Sequence, residues 1–227
     1  MRRKKIMPGS RLHYDIDPSC QLPHDFLATL YDGCFRDKVD GCYVEVGAYD
    51  GVKFGHTSAL AKLGWRGLCI EPHPEYAERC RKNHAGRNVA VDECAVGAEE
   101  GVVSLYISED EDGACSSTKW TDASRHHGLD EKRVIRVPMF RLDTVLRRHN
   151  IPRPFEVLTI DVEEAELDVL EGFDLGLWSP KVAIVETHEN DPNPIRNWKA
   201  EPVSSIFDAY GYKKVYADDT NSVFVLT

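Results

Sequence analysis

From residue 42 onward, short apolar runs alternate with stretches in which apolar residues return every three or four positions, the pattern of strands and helices taken in turn. The runs at 43–46, 67–71, 89–94, 155–161 and 181–186 predict strands. Between them, 58–63, 74–84, 142–149 and 164–172 predict helices, with Pro74 suited to a first turn and Gly64 to a helix end. Such alternation specifies parallel strands, because a parallel connection needs a long crossover and a helix supplies it. Residues 102–107 alternate with period two and read as a hairpin arm, and 134–140 as a further strand. The ending differs: a helix near 204–210 precedes strands 212–216 and 222–226, joined by Asp218-Asp219-Thr220-Asn221. So short a turn forces those two strands antiparallel. The expected fold class is α/β, a Rossmann-like, mostly parallel sheet with a C-terminal antiparallel hairpin strand and helices on both faces.

At 227 residues the chain suits one ordinary domain with a sizeable core. Residues 1–40 read as an N-terminal extension whose amphipathic helix, 24–35, carries Phe26, Leu27, Leu30 and Tyr31 and packs on or over the domain. Residues 41–227 form the domain proper. Within it, 108–130 break the rhythm with an acidic loop at 109–113 and the pair His126-His127, as a lid-like insertion does.

Charge and cysteine usage narrow the setting. Lys plus Arg number 28 against 38 Asp plus Glu, and a net charge of −10 argues against nucleic acid as a partner. The basic opening Arg2-Arg3-Lys4-Lys5 has no apolar stretch behind it, so it reads as a solvated tail rather than a signal peptide. No apolar run approaches the length of a membrane span. Seven scattered cysteines without paired metal or redox spacing behave as free thiols, which points to a reducing, cytoplasmic setting.

The chemistry concentrates in YVEVGAYDG, residues 43–51, and in Glu71 at the end of the next strand. A glycine turn after the first strand and a carboxylate after the second form a nucleoside pocket, the acid accepting ribose hydroxyls. A dinucleotide fingerprint needs a third glycine where this chain has Tyr49, since pyrophosphate sits against bare backbone. Acids stand beside the turn, Glu45 and Asp50, where a phosphate is repelled and an ammonium attracted. The pattern therefore favours S-adenosylmethionine over a nicotinamide dinucleotide.

These segments resemble the FkbM-type methyltransferases, a branch of the class I S-adenosylmethionine-dependent enzymes. The resemblance runs from about Gly41 to Glu189 through YVEVGAYDG (43–51), GWRGLCIEPHPE (64–75), CAV (94–96) with FRLDTVL (140–146), LTIDVEEAELDVLEGF (158–173) and VETH (185–188). The antiparallel ending suits the class I methyltransferase sheet. The resemblance implies that Glu45, Gly47, Ala48, Tyr49, Asp50 and Gly51 hold the methionine part of the cofactor. It also implies Glu71 at the ribose hydroxyls, Cys94 and Ala95 along the adenine, Ser116 and Ser117 in a loop that meets cofactor or substrate, and Pro72 and Asp161 among the residues that bind the cofactor. One departure stands out: Glu164 occupies a position where the family carries glycine.

Methyl transfer to a hydroxyl needs alignment and a group that takes the proton. In an open α/β sheet the ligand crevice lies outside the carboxyl ends of the strands, where Asp161, Glu163, Glu186 and His188 converge. His188 is the first choice for the base because imidazole titrates near neutrality, with Asp161 and Glu186 orienting it. The alternatives are a divalent cation, magnesium or manganese, held by Asp161, Glu186 and His188, or a strand-end network without catalysis. The expected function is O-methylation of a sugar, a glycan or a small natural-product hydroxyl. A cofactor-binding module without catalysis and a nicotinamide-dependent oxidoreductase remain as alternatives.

Overall fold

The computed structural model describes residues 14–36, 38–108, 114–120, 129–191 and 197–227, at 129–132 the backbone alone. The basic segment Arg2-Arg3-Lys4-Lys5, the acidic loop 109–113, and His126 and His127 lie outside the described residues. The helices are α1 (His24–Phe35), α2 (Ser58–Leu63), α3 (Pro74–Asn83), α4 (Leu142–Arg148), α5 (Glu166–Glu171), α6 (Leu175–Trp178) and α7 (Ala200–Ala209). The strands are β1 (Cys42–Val46), β2 (Arg66–Ile70), β3 (Val89–Asp92), β4 (Ala95–Val96), β5 (Gly101–Ser108), β6 (Leu129–Phe140), β7 (Val157–Ile160), β8 (Val182–Glu186), β9 (Tyr212–Ala217) and β10 (Asn221–Leu226).

Seven strands form the central sheet in the order β3-β2-β1-β7-β8-β10-β9. All neighbours pair in parallel except around β10, which runs antiparallel to both β8 and β9. The reversal of strand order beside β1 leaves a crevice at its carboxyl end. Every residue of β1, β7 and β8 is buried, which explains the continuous apolar runs in their sequences.

Alternate residues feed two cores. Val44, Val46, Leu158 and Ile160 face Leu146, Val169, Trp178 and Phe207 from α4 to α7. Tyr43, Cys69, Val157 and Ile184 face Leu27 and Tyr31 of α1, Leu60 of α2 and Cys80 of α3. Leu27 and Tyr31 are fully buried, and each such side chain stabilises the fold by about 1.5–3 kcal/mol. The helix at 24–35 is thus built into one face of the sheet.

Several boundaries differ from the sequence expectation, each for a visible reason. The strand expected over 89–94 stops at Asp92, and Ala95–Val96 joins a separate sheet ordered β4-β6-β5. The helix expected from 164 begins only at Glu166, because Glu163 and Glu164 have φ of 55° and 80°, outside the helical region. Helix α7 starts at Ala200, earlier than 204, with Pro202 tolerated near its N-terminus. The single turn α6 was not expected; the Asp174 carboxylate caps it by accepting from Leu177 N at 2.9 Å.

Candidate active site

The crevice begins at Gly47, where β1 ends. Its φ is +81°, and a Cβ there would lie 1.6 Å from the carbonyl oxygen of Asp161 at the end of β7. Only glycine permits both the turn and the approach. The next residues close onto β2: Gly47 and Ala48 donate their N–H groups to Ile70 O at 3.0 Å each. Tyr49 donates its backbone N–H to Glu71 Oε2 at 2.8 Å, and His73 donates to Oε1 at 2.8 Å. Burial, only partly offset by those two bonds, pushes the Glu71 carboxyl up to about 7.

Two clefts meet at this edge. The first, about 550 Å³, is lined by Gly47, Glu71 and Pro72 together with Cys94, Ala95, Val96 and Leu105. The second, about 560 Å³, is bounded by Glu45, Ala48, Phe54, His56 and Thr159, with Gln21 from the N-terminal segment. Gly47, Tyr49, Ala114, Asp161 and Glu163 line both, so these residues form the junction. Tyr49 packs its ring 4.7 Å from that of Tyr76 and 6.4 Å from that of Phe54, which spans the mouth with aromatic surface.

Glu45 sits on β1 opposite Cys69 and Thr159. Thr57 Oγ1 donates to its Oε2 at 2.6 Å, and His56 N to its Oε1 at 3.2 Å. Burial outweighs these bonds and raises the carboxyl to about 7. Asp161 and Glu163 are held well above the usual carboxylate range, first by burial and then by the negative charge of Glu186. A positive charge entering between Glu45, Asp161 and Glu163 favours their ionised forms.

Behind the junction lies a buried ionic network. Lys199, fully buried, donates to Glu166 Oε2 at 2.7 Å and Glu186 Oε2 at 2.8 Å and lies 3.7 Å from Glu164 Oε1. His188 Nε2 pairs with Glu186 Oε1 at 2.9 Å, and its Nδ1 contacts Asp219 O at 2.9 Å. Burial acts to neutralise Glu186, but Lys199 and His188 win and hold its carboxyl well below the ordinary range. Burial also acts to discharge His188, and Glu186 overrides it upward.

The sequence-predicted residues divide accordingly. Glu45, Gly47, Ala48, Tyr49, Glu71, Pro72, Cys94, Ala95, Asp161 and Glu163 all border the clefts. Asp50 and Gly51 do not. The Asp50 carboxylate caps its own turn by accepting from Val52 N at 2.9 Å and Lys53 N at 2.8 Å. Gly51 packs against α3, its carbonyl 2.9 Å from His84 Nε2. Ser116 reaches the first cleft, whereas the Ser117 hydroxyl donates to Glu163 O and ties the loop to the junction. His188 borders neither cleft, and with both ring nitrogens engaged it has no lone pair turned toward a substrate. Sequence reasoning missed Glu166, Trp198 and Lys199, whose role appears only when three distant segments meet.

The clefts fit S-adenosylmethionine in kind: an acid between two backbone donors beside an apolar slot, then a junction of acids suited to a cationic end. The expected cation set fits poorly. The carboxylates that do converge, one oxygen each from Asp161, Glu163 and Glu186 within 4.8 Å of the others, include Glu163 in place of the expected His188. Both Glu186 oxygens already take charged hydrogen bonds from Lys199 and His188, and His188 is spent on those contacts. Lys199 supplies the positive charge that a metal ion would bring.

Comparison with known proteins identifies a family and a fold. The family model described as "Methyltransferase FkbM domain" matches residues 45–214. No curated protein sequence matches the chain. Among solved structures, the O-methyltransferase TomG from Streptomyces achromogenes, in complex with SAM, has 13% identity and a TM-score of 0.52 over 92% of this chain and 83% of that one. The precorrin-6y C5,15-methyltransferase from Geobacter metallireducens has 12% identity and a TM-score of 0.48 over 93% and 92%. At such identity the likeness to TomG concerns the fold, and it is a methyltransferase fold. The methyltransferase family match, over most of the chain, stands against the nicotinamide-dependent oxidoreductase alternative. With the glycine turn, the strand-end acids and the family match in agreement, the chain belongs to the FkbM family of S-adenosylmethionine-dependent methyltransferases.

Proposed function

We propose that the protein methylates a hydroxyl of a sugar, a glycan or a small natural product, with Asp161 and Glu163 as the groups that receive the hydroxyl proton. The observation that carries this reading is the placement of both carboxylates at the junction of the two clefts. Bound S-adenosylmethionine supplies an electrophilic methyl on a sulfonium centre. Glu71 accepts the ribose hydroxyls while Tyr49 N and His73 N fix its orientation. Cys94, Ala95 and Val96 offer the adenine an apolar wall. Glu45, braced by Thr57 and His56, supplies negative charge toward the ammonium.

Asp161 or Glu163, ionised beside a cation, would accept the proton of the acceptor hydroxyl; the bound cofactor would supply the methyl and leave as the neutral thioether S-adenosylhomocysteine. His188 serves to hold Glu186, and no divalent cation enters this account. The acceptor is a small molecule or glycan rather than nucleic acid, a reading supported by the net charge of −10. The free thiols support a cytoplasmic setting. Among the described residues no helix is long and apolar enough to cross a membrane.

The test is incubation with methyl-labelled S-adenosylmethionine and a panel of methyl glycosides, glycan fragments and hydroxylated macrolides, read by mass spectrometry. The reading expects a mass gain of one methylene on a hydroxyl, abolished in Asp161→Asn or in Glu163→Gln. Cofactor binding with no labelled product across the panel supports the non-catalytic binding module instead.

A further inference from the structure

The turn from Asp161 to Glu166 carries both carboxylates of the proposed site, and its backbone is costly. Glu163 and Glu164 hold φ of 55° and 80°, a region that side-chain-bearing residues rarely adopt. Two consecutive residues there cost about 1–3 kcal/mol each and persist only when their surroundings fix them. Three contacts from distant segments do so. The indole of Trp198 donates from Nε1 to Glu164 Oε2 at 2.8 Å. Lys199 donates to Glu166 Oε2 at 2.7 Å, and Glu166 Oε1 accepts from Val162 N at 3.2 Å, between the two site acids. Ser117 donates its hydroxyl to Glu163 O.

We propose that Trp198 and Lys199 form a clasp that positions Asp161 and Glu163 by holding the 161–166 turn, Trp198 through Glu164 and Lys199 through Glu166. Both are positioning residues, since neither borders a cleft. Lys199 is also the cation central to the buried acids: Glu166 on α5, Glu164 in the turn and Glu186 on β8 surround it. Trp198 acts through geometry alone, which gives the two halves of the clasp different signatures. The inference rests on the proposed roles of Asp161 and Glu163.

Calorimetric titration of S-adenosylmethionine into wild type and variants tests it, because the turn lines both clefts. Trp198→Phe is half-exposed and expected to fold; it should weaken affinity about tenfold by freeing Glu164. The double variant Trp198→Phe/Glu164→Gly should recover to within about threefold of wild type, since glycine adopts a positive φ without a partner. Lys199→Met should also weaken affinity, and Glu164→Gly should not rescue it, because Glu166 and Glu186 still lack their cation. A generic loss of packing at Trp198 would not be rescued by glycine at 164. Should Lys199→Met fail to fold, the Trp198 and Glu164 pair decides alone. Wild-type affinity in Trp198→Phe, or a double variant no better than the single, overturns the clasp. If Glu71→Ala leaves affinity intact as well, the functional reading fails rather than the clasp alone.

Discussion

Tyr49 donates its backbone N–H to the Glu71 carboxylate at 2.8 Å, which joins the glycine turn of β1 to the strand end of β2 in one rigid unit. The carboxylate therefore reaches the cleft already oriented. Glu71→Ala should weaken S-adenosylmethionine binding by about 1–3 kcal/mol, the cost of stripping the partner from a buried hydroxyl pair. Calorimetry checks it. Because burial places the Glu71 carboxyl at about 7, wild-type affinity should rise through neutral pH as the acid ionises. Glu71→Gln should show a smaller rise.

Gly47 carries a second prediction. With a Cβ 1.6 Å from the Asp161 carbonyl and φ at +81°, Gly47→Ala must open the contact between β1 and β7. A loss of at least about 2 kcal/mol in urea unfolding is expected, from overpacking plus a left-handed alanine. Unaltered stability would refute the close approach.

Much of this was legible because the signals are local. The runs at 43–46 and 67–71 end on Gly47 and Glu71, and local periodicity places both at the crevice edge. The antiparallel end followed from the short turn before Asn221. Other parts were hidden by their long range. Nothing near Lys199 announces a buried lysine; its partners Glu166 and Glu186 belong to other elements. His188 read as a base oriented by Glu186; that contact is present, but the Asp219 carbonyl, brought in by the distant hairpin turn, takes its other nitrogen. Asp50 read as a ligand, yet a carboxylate beside a turn often bonds its own backbone, as it does at Val52 and Lys53.

That occupancy sets the outcome at His188. His188→Ala should cost stability, about 1–3 kcal/mol, because it removes one charged partner of buried Glu186. Turnover per folded molecule should stay within a few-fold of wild type. A large fall in kcat at unchanged melting temperature would return His188 to the role of base.

Stability should also respond to pH in a defined sense. Glu45, Glu71 and Glu166 have folded values near 7, above the ordinary 4.5, so their contribution is full below 4.5 and is lost as pH rises through 7. His56 acts on the acid side: its folded value near 4 lies below 6.5, so its contribution is lost as pH falls below 6.5. Above pH 6.5 the acids dominate. The ligand-free protein should lose about 1 kcal/mol per such acid between roughly pH 6.5 and 8. Thermal unfolding across that window checks it, and a rising melting temperature would contradict the sign.

In the proposed reaction, carboxylates at the junction of the two clefts, rather than His188 or a metal ion, take the acceptor proton. Transfer of labelled methyl from S-adenosylmethionine to the hydroxyl panel, compared among wild type, Asp161→Asn, Glu163→Gln and His188→Ala and repeated after EDTA, tests this most directly. The account predicts labelled product from wild type and His188→Ala with or without EDTA, and a loss of about a hundredfold or more in at least one carboxylate variant. Full activity in both carboxylate variants, or activity that vanishes with EDTA and returns with magnesium or manganese, would contradict it.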